Sequence, residues 1–223
     1  MLWSLSKKSN MDIKHKIEKC FIFFPLVHML AAAYLCWQII LNPKISTLGI
    51  LLFLLYIFPI ILYRISEMIS KTKQGTSYVG DKGWSPWLIG FRLQSIYLYF
   101  PFLENVLRIF PPVYSLWLRL WGSKIGKRVF WSPTMDITDR GHLEIGDNVL
   151  FGHRVILLSH VISPKNGRKL LYVKNIKFGN NSFIGAGCRF GPGTNLAEGS
   201  LVKTLTDYGV NNRIISKADL GQD

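Results

Sequence analysis

Residues 178–207 read FGNNSF, IGAGCR, FGPGTN, LAEGSL, VKTLTD, five six-residue blocks in succession. A large apolar residue opens each block (Phe178, Ile184, Phe190, Leu196, Val202), and a small one follows four places later (Ser182, Cys188, Thr194, Ser200). The rhythm also runs upstream through Ile125, Trp131 and Ile137, and after a two-residue slip through Ile145, Phe151 and Leu157. A period of six belongs neither to a helix, with 3.6 residues per turn, nor to a plain strand, with two. It is the period of a chain wound round a triangular prism, with one short strand per side and three sides per coil, and such coils stack into a β-solenoid with a continuous core. The apolar residue is expected to point inward, with the small residue also inward near a corner. Gly126, Gly146, Gly152, Gly179, Gly185 and Gly191 each directly follow the apolar residue, where turn backbone is needed.

The rhythm breaks twice. The first break is a small bulge, Asp136-Ile-Thr-Asp139-Arg140-Gly141-His142. The second follows Leu157-Leu158-Ser159-His160, where register is lost through SPKNGRKLLYVKN and returns near Ile176–Phe178. A polar, basic excursion from a rigid scaffold is a natural place for a site. His160 stands at its entrance in an outward position, where an imidazole can titrate near neutrality and serve as a general base.

The N-terminal third has a different character. Residues 20–41 and 45–63 contain no Asp, Glu, Lys or Arg, and each approaches the ~20 residues needed to cross a bilayer as a helix. Asn42-Pro43-Lys44 separates them, so a tight transmembrane hairpin is expected. Lys7, Lys8, Lys14, Lys16 and Lys19 precede the first run; Arg64, Lys71 and Lys73 follow the second; the connection holds Lys44 alone. The positive-inside rule then puts both flanks in the cytoplasm, with an inner-membrane, multi-pass location and the solenoid facing the cytoplasm. A third apolar zone, 84–121, is interrupted by Arg92, Glu104, Arg108 and Arg119, which favours amphipathic neck helices at the bilayer surface or under the solenoid over a third span.

Net charge is +14 over 223 residues, a balance that suits anionic lipid or a phosphate-bearing cofactor. Basic residues interleave with aromatics mainly inside apolar segments, so no nucleic-acid partner is expected. The three cysteines, Cys20, Cys36 and Cys188, form no CxxC or CxxH pair, and neither a metal site nor a disulfide framework is suggested. The expected organisation is a basic N-terminus (1–19), a helical hairpin (20–65), a helical neck (66–121), a solenoid (122–207) and a tail (208–223).

The stretch from Ile145 to Val202, with GDNV, a hexad, a His, an excursion and further hexads of the FGNNSFIG kind, resembles the hexapeptide-repeat acyltransferases. It is most similar to the maltose, galactoside and nodulation-factor O-acetyltransferase branch, and the lead-in LWLRLWGSKIGKRV resembles the start of many such domains. The resemblance implies a mainly β fold, a left-handed parallel β-helix, here preceded by the helical hairpin and neck. It also implies homotrimers with sites between neighbouring prisms, acetyl-CoA or another acyl-CoA as donor, and no metal. By that resemblance His160 is the catalytic base and Asp139 an acceptor contact. Gly185 and Ala186 are placed at the oxyanion or acyl-CoA, and Lys203 and Arg213 at the acyl-CoA. The membrane hairpin departs from the soluble sugar acetyltransferases and points to an acceptor at the bilayer, such as a lipid-linked sugar or other membrane lipid. Two alternatives stand beside this one: a non-catalytic trimeric scaffold, and a zinc hydratase resembling the gamma-class carbonic anhydrases. The hydratase would need His142, His153 and His160 to converge, although their spacing does not match that family.

Overall fold

The computed structural model describes residues 18–79 and 85–214. The basic residues Lys7 to Lys16, Trp84 and the last nine residues of the tail lie outside the described residues. The chain divides into two compact units, one taking 1–72 and 79–99 and the other 73–78 and everything from 100 onward.

The first unit is helical. Helix α1 (Phe24–Leu41) starts with Pro25 in its first turn, where a missing N–H costs nothing. After the break at 42–44, α2 (Ile45–Tyr56) and α3 (Phe58–Ile69) form one apolar stretch interrupted at Ile57. The interruption has a cause: Pro59 has no N–H to give the carbonyl of Leu55. The Tyr97 hydroxyl donates to that carbonyl instead, and His28 Nε2 donates to the Leu54 carbonyl at 3.0 Å. A freed backbone carbonyl held away from water needs such a substitute. Helix α4 (Pro86–Tyr99) supplies Tyr97 and buries Trp87, Ile89, Leu93 and Ile96. Phe24–Leu41 and Ile45–Ile69 are both long and apolar enough to cross a membrane, and only 6% and 17% of the most apolar 18-residue stretch of each is buried. A helix from a soluble core would hide such residues as Leu30, Tyr34 and Trp37, which are exposed here.

From residue 100 the second unit holds α5 (Phe102–Arg108) and α6 (Pro111–Trp121), the latter ended by Gly122 at φ +116° in the left-handed region. The coil follows. β2 (Lys124–Ile125), β4 (Leu143–Ile145), β9 (Ile176–Phe178), β12 (Asn195–Leu196) and β15 (Arg213–Ile214) stack as a first face. β5 (Leu150–Phe151), β10 (Phe183–Ile184) and β13 (Leu201–Val202) form a second face, extended by a Phe130–Leu150 bridge. β3 (Asp136–Ile137), β6 (Ile156–Leu157), β11 (Arg189–Phe190) and β14 (Asp207–Tyr208) form a third. The chain visits the faces in strict rotation and all their pairings are parallel. This is a three-sided solenoid, and it runs on to Ile214 rather than stopping at 207.

The pairings fix the length of each coil. Phe183 lies over Leu201, eighteen residues on, which is three sides of six. Lys124 pairs with Glu144, so the first coil holds two extra residues, and Glu144 pairs with Lys177, so the second holds fifteen extra. Both insertions fall at the corner between the third and first faces. The fifteen are no loose loop. They form an antiparallel hairpin, β7 (His160–Lys165) and β8 (Arg168–Val173), turned by Asn166 and Gly167, both at positive φ. Asn-Gly is the usual two-residue hairpin turn, because each residue tolerates the left-handed region. β1 (Gly75–Val79) pairs along the other edge of β8.

The hexad residues point inward as the period requires: Ile125, Trp131, Ile137, Ile145, Phe151, Leu157, Phe178, Ile184, Phe190, Leu196 and Val202 are all buried. So are Ser182, Cys188, Thr194 and Ser200. The rings of Trp131, Phe151, Phe178, Phe190 and Tyr208 run through the core in a chain of contacts, the outer two pairs stacked and the middle two edge-on, with centroids 4.9–5.4 Å apart, within the range of favourable aromatic pairs. The outer faces differ. The first face carries Lys124, Glu144, Lys177, Asn195 and Arg213, and the third carries Asp136, Arg189 and Asp207. The second face instead exposes an apolar ladder of Phe130, Leu150, Phe183 and Leu201.

Candidate active site

The two insertions lie on successive coils at the same corner, so the winding stacks Thr138–His142 against the entrance of the hairpin. Backbone bonds fix the overlap: the Thr138 N–H donates to Leu157, and the Lys174 N–H to Ser159. This brings His160 onto Asp139, 21 residues earlier. His160 Nδ1 lies 2.6 Å from Asp139 Oδ2, and the Thr138 hydroxyl donates to the same oxygen at 2.8 Å. The carboxylate is 1% exposed and the imidazole side chain 16%. Burial pushes the Asp139 carboxyl up, but the hydrogen bond and charge of His160, with help from His142 and Thr138, more than reverse this and hold it below the ordinary carboxylate range. A carboxylate so held only accepts. Nδ1 then donates to it in either protonation state of the ring, and Nε2 is the ring nitrogen that can gain or lose a proton.

The bulge that carries Asp139 is anchored from behind. Arg140, also 1% exposed, pairs through Nε with Glu104 Oε1. The other oxygen of Glu104 accepts from Arg108 Nη2 at 2.6 Å and from the Tyr114 hydroxyl at 2.9 Å. Ser123 Oγ donates to the Arg140 carbonyl at 2.6 Å and accepts from the Leu143 N–H at 2.9 Å, closing the bulge at both ends. His142 Nδ1 is 3.1 Å from Asn175 Oδ1, across the base of the hairpin.

The other residues singled out from the sequence lie elsewhere. Gly185, Ala186 and Lys203 stack on the corner between the second and third faces; the Ala186 carbonyl there accepts from the Leu205 N–H. The Gly185 N–H is itself a rung, donating to Val202 at 2.9 Å, so an oxyanion donor at this corner has to be another group. Arg213 is exposed on β15, the last strand of the first face. One chain thus joins Asp139 to His160 and groups Gly185 with Ala186 and Lys203, but at different corners. His153 is also on the second corner, against Thr134, apart from His142 and His160. Sequence reasoning did not find the pairing of Asp139 with His160, or Glu104 and Arg140 behind it.

No protein-family model matches the chain, and no curated protein does. Among solved structures the neighbours are acetyltransferases. A hexapeptide-repeat-containing acetyltransferase from Vibrio cholerae is 20% identical, with 42% of this chain and 57% of that one covered, at a TM-score of 0.36. Serine acetyltransferase isoform 3 from Entamoeba histolytica, solved with cysteine, is 11% identical over 84% of this chain and 70% of that one, at 0.21. Serine acetyltransferase 1 of the same organism, with L-cysteine, is 14% identical over 83% and 74%, at 0.20. The chain spans little more than half the length of the first of these. The functional reading therefore rests on the corner itself.

Proposed function

We propose that this chain is a membrane-anchored acyltransferase that moves an acyl group, by resemblance acetyl, from acyl-CoA to a hydroxyl or amine of a membrane-associated acceptor such as a lipid-linked sugar. The observation that carries this reading is the buried Asp139 beside a partly exposed His160 at the corner where both insertions fall. Asp139 holds the ring in the tautomer whose Nε2 can accept a proton, the arrangement a general base requires. In the proposed step Nε2 takes the proton of the acceptor hydroxyl as its oxygen attacks the thioester carbonyl. The C–S bond breaks, and the CoA thiolate leaves with that proton. Asp139, expected from resemblance to touch the acceptor, is better suited by its burial to orienting His160.

The remaining groups fit a trimer of left-handed coils. The corner of Gly185 and Ala186, with Lys203 above it and Arg213 on the last strand, would meet the His160 corner of a neighbouring copy. There the Ala186 amide is the candidate oxyanion donor and the two cations would contact CoA phosphates. The apolar ladder on the second face supports self-association. The two weakly buried apolar stretches support a membrane anchor, and the basic residues flanking them are what favours the cytoplasmic side for the coil.

The test is transfer of label from radiolabelled acetyl-CoA into the lipid extract of membranes carrying the intact protein or His160→Ala. A labelled lipid lost about 10²–10⁴-fold in the variant is the expected result. Equal labelling by both removes His160 as the base. No labelling by either, with longer acyl donors and soluble acceptors also failing, removes the activity.

A further inference from the structure

Helices α5 and α6 both carry large apolar residues on their outer sides. The buried side of α5 carries Glu104 and Arg108 beside Leu103, while its outer side presents Phe102 and Val106, followed by Ile109 and Phe110 at 68% and 64% exposed. In α6, Val113, Leu116 and Leu120 continue the exposed apolar face at helical spacing, opposite buried Tyr114, Trp117 and Leu118. Seven large apolar side chains on two consecutive helices and the two-residue connection between them thus face away from their own core, more than the scattered exposure normal for a soluble surface.

Beside this plate, where α6 meets the first corner, is a cavity of about 290 Å³ lined by Pro111, Pro112, Ser115, Arg119, Lys127 and Arg128, with Gly126 and Val129 completing it. Its charged lining is wholly cationic. Arg119 is held by the carbonyls of Ile125 and Gly126 at 2.8 and 2.7 Å, and Arg128 by Asn148 Oδ1 at 2.7 Å, so two of the three charges are fixed in place. Asp147 is near, with Oδ1 accepting from the main-chain N–H of Lys127 at 2.6 Å, and its single negative charge leaves the three cations in excess. Pro111 and Pro112 bring no N–H to the start of α6, so an anion in this cavity would be held by side-chain charge rather than by a helix end.

We propose that the α5–α6 plate lies in the membrane interface and that this cavity seats the phosphate of an anionic phospholipid. The inference rests on the reading of residues 20–65 as a membrane anchor and names a second lipid contact, within the catalytic unit. Apolar side chains enter the acyl boundary, and the adjoining cations meet the headgroup layer. Chain continuity favours this occupant: α5 begins at Phe102, three residues after α4 ends in the unit with the membrane-length helices. Charge favours it over a second copy, because a symmetric contact in a chain of net charge +14 would set Arg119, Lys127 and Arg128 against their own images.

The test uses the full chain with Cys20→Ser and Cys36→Ser, reconstituted in nanodiscs of phosphatidylcholine with or without phosphatidylglycerol. Nitroxides are placed one at a time at Val106→Cys, Ile109→Cys and Leu116→Cys, with Tyr34→Cys on α1 and Lys169→Cys on the hairpin as references. Accessibility to oxygen and to a water-soluble nickel chelate is read by power saturation. The expected result is a severalfold oxygen preference at 106, 109 and 116, as at 34 and unlike 169. With phosphatidylglycerol present, Lys127→Glu with Arg128→Glu should shift the three toward nickel, each charge being worth about fivefold in membrane affinity. Nickel access at all three with oxygen preference at 34 overturns the plate and leaves the anchor standing. Nickel access at 34 as well overturns the anchor. Shielding from both reagents shows a protein occupant and overturns the lipid. No response to the double variant, or to phosphatidylglycerol, overturns the phosphate seat.

Discussion

The first and third corners of the coil are built from the same path and used in opposite ways. The first turns four times with one residue at positive φ in the same place each time: Arg128, Asn148, Asn181 and Gly199. Its side chains form a ladder, Arg128 to Asn148, Asn148 to Asn181 at 2.9 Å, and Asn181 to Glu198 at 3.2 Å. The third corner keeps that geometry only in the later coils, at Gly193 and Asn211. In the first two it gives way to insertions of two and fifteen residues, and there it buries Asp139 and Arg140 and turns His160 toward solvent. Where the repeat is kept, polar residues satisfy the turn; where it is broken, they are free of that duty and can be arranged for chemistry.

The largest effect is expected at the regular corner. A Cβ at Gly179 would lie 2.4 Å from the Glu198 amide nitrogen. Gly179→Val should cost about 4 kcal/mol, seen as a collapse of the near-ultraviolet dichroism melt in detergent; an unchanged melting temperature would mean the stack is not tight. Next is the anchor of the irregular corner. Glu104→Gln takes from the buried Arg108 and Arg140 the carboxylate they share and should cost about 3 kcal/mol in urea unfolding.

Asp139→Asn should cost about 2 kcal/mol near neutrality. Because the folded carboxyl titrates below its ordinary value, its contribution is complete above the unfolded value of about 3.9. It is lost as pH falls through the folded value, so the gap in melting temperature between the two proteins should close on acidification; a gap constant down to pH 2 would show that the lost stability does not come from ionisation. Smallest is Asn148→Ala, about 1 kcal/mol from a lost ladder bond and a less tolerant left-handed position. Asn148→Gly should recover part of it in the same melt, and if it recovers none the backbone term is absent.

The coil was legible because one residue in six had to be large and apolar and one in six small, a demand that local sequence records. Its end was legible too, although the reading stopped short: Tyr208 and Ile214 keep the period, and Tyr208 stacks on Phe190. Asn166-Gly167 likewise announced the hairpin that a scan for hexads treats as noise. The pairings at the site left no such trace. His160 reaches Asp139 across 21 residues and Arg140 reaches Glu104 across 36, distances set by how many residues each coil happens to hold. The period gives the side of the prism on which a residue falls, but not the neighbour an insertion lifts it against.

An eighteen-residue circuit also gives the later coils a reading frame. Deleting eighteen residues between 178 and 213 would remove a storey and leave every remaining side chain on its own face. Deleting six would preserve the inward hexads equally well yet rotate everything downstream by a third of a turn. The apolar ladder of the second face would then continue beneath charged residues from the third. Such a chain could still close its core, but its outer surface would be scrambled. Natural variation in the length of this region is therefore expected in whole storeys, or as hairpins that leave and re-enter at one corner.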